Sequence, residues 1–205
     1  MKVQFRTRYV AAAALTLIAT ALIVTPAGAA GVTSETSDVR GQGPAGPVVS
    51  VDGAVLQRSA TGLSAKLTMP TPEPGTYNYP PAQTAPFPFP AAVPGHPEAY
   101  SLWVFVFNYP ALCSQPCDGN DVGVVTPAQG GAFNAAGHLV GGSTLQLDGR
   151  VSMNSTPFGG SRLLEPLTAE VHFAVAPHGA LDPSLLPDQI TKPIGNPSFW
   201  WIAIF

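Results

Sequence analysis

Apolar residues in this chain recur at every second position, in short runs separated by glycine and proline. That is the period of a β-strand with one buried face. Leu63, Ala65 and Leu67 alternate with Ser64, Lys66 and Thr68, and the preceding VVSVDGAVLQRS carries an Asp52-Gly53 pair that predicts a turn. The run AYSLWVFVFN, residues 99–108, places bulky apolar side chains on both faces and predicts a central, buried strand. Further strand patterns follow in AFNAAGHLVGG, in STLQLDGRVS with Leu145 and Leu147 on one face, in AEVHFAVA and in the terminal SFWWIAIF. Adjacent Trp200 and Trp201 must face opposite sides of that last strand, so one is exposed unless a further layer covers it. The one helical signal is DPSLLPDQI, where Asp182 caps a short turn beginning at Pro183. About eight short strands and no alternating long helices predict an all-β fold, an antiparallel sandwich or a jelly-roll-like relative.

The first 30 residues follow a different pattern. Lys2, Arg6 and Arg8 precede an apolar run over residues 10–24, and small residues at Ala27 and Ala29 follow Pro26. This is the layout of a secretory signal peptide cut near Ala29 or Ala30. A retained anchor is the competing reading, but the run is short for a bilayer of about 30 Å and no basic stop-transfer cluster follows. The expectation is a secreted or extracytoplasmic protein with no transmembrane span after cleavage. Residues 31–47, small, polar and rich in glycine and proline, read as a flexible leader, and residues 48–205 as a single β-domain.

Composition agrees with strands and turns, since glycine and proline supply 44 of the 205 residues and only 10 % are charged. Without Lys2, Arg6 and Arg8 the net charge moves from −3 to −6, which disfavours nucleic acid as a partner. Ten prolines fall in the stretch 69–97, including Pro86, Pro88 and Pro90 around Phe87 and Phe89. Such a segment cannot donate to a sheet ladder, so it reads as a long surface loop. Tyr77, Tyr79, Phe87 and Phe89 are its candidate ligand-facing residues; the alternative is that they tack the loop onto the domain. Cys113 and Cys117, an even and closely spaced pair in an exported chain, predict a disulfide that shapes its loop more than it holds the fold.

Four pieces stand in order: AYSLWVFVFNYPALCSQPC with its acidic DGND tail, AAGHLVGG, LLEPLTAEVHFAVAPHG and LPDQI. Together they resemble a family of uncharacterised secreted bacterial proteins. Members carry a tryptophan-rich strand ending in F-N-x-P, a C-x3-C loop followed by an acidic residue, an A-x-G-H-x-V-G segment, and an A-E-[IV]-H strand leading to H-G. The likeness covers residues 95–190. It implies a secreted β-domain and brings no activity with it. Two departures stand out: the family's further cysteine pair near the C-terminus is replaced here by GNPSFWWIAIF, and the proline-rich stretch looks like an insertion. AEVHFAVAPHG is also similar to the histidine-bearing strand of CHRD-type β-sandwich modules, which implies architecture alone.

Candidate chemistry is sparse. On the strand at residues 169–176 the two-residue period makes Glu170 and His172 neighbours. With His138 and His178 they form a possible zinc or copper(II) set, against the plainer reading of a polar pair and two turn histidines. Asp118, Asn120 and Asp121 form an oxygen-rich loop that can hold calcium, against the plainer reading of a solvated turn, since Asp, Asn and Gly are default turn residues. No nucleophile elbow, phosphate loop or dinucleotide fingerprint is present. The function these features favour is a non-enzymatic extracellular or envelope binding or structural module. The alternative is a metal-binding protein or metal-dependent enzyme using the His/Glu cluster.

Overall fold

The computed structural model of the chain describes residues 31–74, 76–77, 93–114, 116–140, 142–192 and 200–205. The expected signal peptide lies outside them. Among the described residues nine strands form one curled antiparallel sheet: β1 (Thr33–Arg40), β2 (Val48–Ser59), β3 (Gly62–Pro70), β4 (Glu98–Phe107), β5 (Gly130–Val140), β6 (Thr144–Ser152), β7 (Gly159–Gly160), β8 (Glu170–Ala180) and β9 (Trp201–Ile204). Their spatial order is β6-β3-β2-β1-β9-β8-β4-β5-β7. The all-β expectation holds, and no helix among the described residues is long and apolar enough to cross a membrane.

The sheet behaves as two layers hinged at one corner. β1 and β9 share the single ladder position Arg40↔Ile202, so little holds the two halves in one plane there. The halves fold onto one core in which Leu56, Leu67 and Leu147 from one layer meet Val104, Phe133 and Phe173 from the other. At the opposite side β5 and β6 close in, and a side-chain carbon on Gly149 would lie 2.6 Å from the Ala135 carbonyl oxygen. Only a bare glycine permits that approach.

β4 lies between β8 and β5 and is buried almost throughout, as its two apolar faces predict. Its odd-numbered side chains face a second cluster, in which Trp103 packs with Ala174 and Trp200. Trp201 points the other way into the main core, so consecutive tryptophans anchor two different clusters and each is at most 5 % exposed. Asp182 caps the turn Pro183–Leu185 by accepting the Ser184 N–H, and the short helix α1 (Asp188–Thr191) follows.

Two expectations are corrected. Residues 33–40 are not a flexible leader but β1, paired with β2 from Thr33↔Arg58 to Arg40↔Val48. Apart from the buried Val39 its side chains have little to hide. What holds it is the ladder, together with Glu35, whose Oε1 accepts from Arg58 Nε at 2.6 Å. Asp52-Gly53 is not a turn but an irregularity within β2: Asp52 adopts φ 48°, and its N–H donates to Asp38 Oδ1 at 3.0 Å.

Candidate functional site

β4 opens on Glu98, whose side chain is buried although it stands at the mouth of the sandwich. Two residues along, Tyr100 shares its face, and its hydroxyl donates to Glu98 Oε2 at 2.7 Å. Tyr77 arrives from beyond β3. Its ring meets Trp201 edge-on at 5.2 Å, and its hydroxyl also donates to Glu98 Oε2. Burial pushes both phenols far above the ordinary tyrosine range, with Glu98 adding to the effect, so both remain donors. One carboxyl oxygen is thereby fully occupied. The other, Oε1, is buried and makes no hydrogen bond.

Glu98 itself lines a cleft of about 250 Å³, together with Thr71, Pro72, Pro74, His96 and Pro97 among others. Thr71 follows directly on β3 and is fixed by its N–H, which donates to the Ser143 carbonyl at 3.0 Å. Its Oγ1 is likewise buried and unpaired. Two residues that line the cleft thus each carry a buried oxygen without a partner. An unpaired buried polar atom costs on the order of 1–3 kcal/mol, and native proteins seldom keep one without a bound water or ligand to satisfy it. Larger hollows of about 330, 350 and 460 Å³ lie over β2, β3, β5 and β6, but none is bordered by an unpaired buried polar atom of the described residues.

The residues singled out from sequence lie elsewhere. His138 is exposed and faces β6 near Gln146 and Asp148. Glu170 and His172 do meet, at 2.7 Å, with the imidazole against Phe107. Burial lowers the His172 pKa, and Glu170 partly offsets that. His178 is six residues farther on, roughly 20 Å along an extended strand. It is buried, with Nε2 2.5 Å from Ser101 Oγ. The four residues proposed as a zinc or copper set thus do not converge, and no three His, Cys, Asp or Glu side chains among the described residues are placed to hold a metal.

The DGND loop uses its own oxygens. Asp121 accepts the Asp118 N–H at 3.0 Å and the Ser114 N–H and hydroxyl at 3.2 Å each, which holds its carboxyl below the usual range. Asp118 caps the turn Gly119–Asp121 by accepting the Asn120 N–H, and takes the Asn120 side-chain amide as well. Cys113 and Cys117 form the expected disulfide, packed beside Phe107 and Ala128. Tyr77 is a core residue rather than part of a ligand surface, because its ring and hydroxyl are both engaged inside. Tyr79, Phe87 and Phe89 lie outside the described residues.

Sequence reasoning passed over Glu98, Thr71 and Ser101. Glu98 and Ser101 did carry a signal: each is a lone polar residue in the most apolar strand of the chain, where burial requires a partner. Thr71 carried none. No family model, no curated protein and no solved structure matches the chain.

Proposed function

We propose that this chain is an exported β-sandwich binding module that receives a small polar ligand in the cleft between Thr71 and Glu98. The observation that carries the reading is that Glu98 and Thr71, each with a buried and unpaired side-chain oxygen, line one cleft. A rigid frame supports it: Tyr77 and Tyr100 fix the Glu98 carboxyl from behind, so its free oxygen is held in place before any ligand arrives. The disulfide and the basic-then-apolar N-terminal sequence support export, as does the resemblance to secreted bacterial proteins.

A binding role fits better than catalysis because the serine–histidine pair found among the described residues, Ser101 with His178, exposes no surface to a substrate. The test is a thermal-shift screen of the purified protein against small amines, polyols, sugars and amides. At least one compound should raise the melting temperature saturably in the native protein and fail to do so in Thr71→Val and Glu98→Gln. A screen in which no compound does this contradicts the reading.

A further inference from the structure

We infer that the outer face of β2, β3 and β6 is a docking groove for an extended acidic polysaccharide. The groove shares no lining residue with the cleft between Thr71 and Glu98, and the inference does not rest on that cleft. Three hollows of about 460, 330 and 350 Å³ run into one another there: the first two share Asp148, and the last two share Gln57, Ser64 and Arg150. Together they follow β6 from Gln146 to Ser152, roughly 20 Å at the rise of an extended strand. A groove of that length suits a chain rather than a compact small molecule.

The strands dictate which side chains line it. Leu63, Ala65 and Leu67 are buried, so Ser64 and Lys66 point outward. The register then sets Gln57, Ser64 and Arg150 in one row across three strands, and Val55, Lys66 and Asp148 in the next. Lys66 and Arg150 are both exposed, and neither makes an ion pair or hydrogen bond with a described residue. Asp148 stands opposite Lys66 but accepts from Gln146 Nε2 at 3.0 Å. Two unpaired cations one diagonal step apart, about 7–8 Å on a sheet, are complementary to anionic groups spaced along a ligand. Gln57 and Ser64 beside them offer donors and acceptors for hydroxyls. In a protein of negative net charge, two cations match a sparsely charged chain, such as a polyuronate with one carboxylate per sugar, and not the dense charge of nucleic acid. A peptide suits the rows less well: β2 and β3 are paired on both edges, so they offer no ladder to extend, and Val55 is the one apolar side chain in the two rows.

The experiment is isothermal titration calorimetry of the purified protein at neutral pH and low salt with oligogalacturonate, with neutral dextran and with polyglutamate. Galacturonate should bind, dextran should not, and polyglutamate should bind about tenfold more weakly or worse. Lys66→Gln and Arg150→Gln should each weaken galacturonate about threefold, and together about tenfold. Arg162→Gln removes a cation that lines none of the three hollows and should leave the affinity within about twofold. Both groove side chains are exposed, so the variants should keep the urea midpoint of the native protein. No binding of galacturonate, or dextran binding as tightly, overturns the acidic ligand. Polyglutamate binding as tightly overturns the polysaccharide in favour of an acidic peptide. A loss in Arg162→Gln as large as in Lys66→Gln shows attraction to net charge alone and overturns the groove.

Discussion

Ser101 Oγ lies 2.5 Å from His178 Nε2, and both side chains are sealed from solvent inside the outer layer of β4 and β8. Trp103 joins this pair: its indole N–H donates to Ser101 Oγ at 2.8 Å. Burial pushes the His178 pKa down to about 3.

Acid sensitivity follows. Below about pH 6.5, the ordinary histidine value, the unfolded chain binds a proton that folded His178 refuses, so stability present at neutral pH is lost as the pH falls. The slope is about 1.4 kcal/mol per pH unit for one such group. His172, also lowered by burial, adds a contribution of the same sign. Urea midpoints measured between about pH 4 and pH 7 should fall with acid in the native protein and fall less steeply in His178→Gln. Equal slopes in the two proteins contradict the buried neutral imidazole.

Tyr77 separates hydrogen bonding from packing. Tyr77→Phe keeps the ring on Trp201 and removes one of the two donors to Glu98, so it should cost about 1–3 kcal/mol in denaturant unfolding. Tyr77→Ala removes the ring as well and should cost about 3–5 kcal/mol. If the two variants are equally stable, the ring is not part of the core.

β1 should behave as an integral strand. Its amides paired with β2 are expected to exchange slowly with deuterium, against fast exchange at the exposed Ala45 that follows. Arg58 ties this strand to the far loop, donating to Glu35 at 2.6 Å and to the Pro166 and Ala169 carbonyls at 3.2 and 2.7 Å. Arg58→Met should cost on the order of 1–3 kcal/mol, less than a fully buried ion pair because Glu35 keeps much of its side chain in water.

The disulfide should matter less than its position in the chain implies. Cys113 and Cys117 close a loop with a sequence separation of 4, worth about 2 kcal/mol of unfolded-chain entropy. The Asp121 carboxylate holds the same loop through donors from Ser114 and Asp118. Cys113→Ala with Cys117→Ala should therefore lower the melting temperature modestly and keep the β-sheet circular dichroism. Loss of the fold would show the bridge to be essential.

How much of this was legible in sequence depended on what each residue buries. Strands β3 and β6 show themselves because their apolar alternation matches the face they bury, as in Leu63, Ala65 and Leu67, and β4 and β8 because their apolar runs match burial on both faces. β1 does not: a strand held by ladder bonds and one ion pair needs no apolar period, so TSETSDVR reads as loop. The opposite directions of Trp200 and Trp201 follow from the two-residue period, whereas the second cluster that covers Trp200 depends on tertiary packing. The histidines drew attention because their chemistry is versatile, yet where each one sits is set by strand register and the bulges in it. The cleft was invisible for the same reason: Thr71 and Glu98 are 27 positions apart and line one cleft only because the end of β3 and the start of β4 lie at the same rim.

The most direct test of the binding cleft is a crystal structure of the protein soaked with the small polar compounds. The account predicts non-water density within hydrogen-bonding distance of both Glu98 Oε1 and Thr71 Oγ1, absent from Glu98→Gln under the same soak. Ordered water alone after every soak, or a protein donor already occupying Glu98 Oε1, would contradict it.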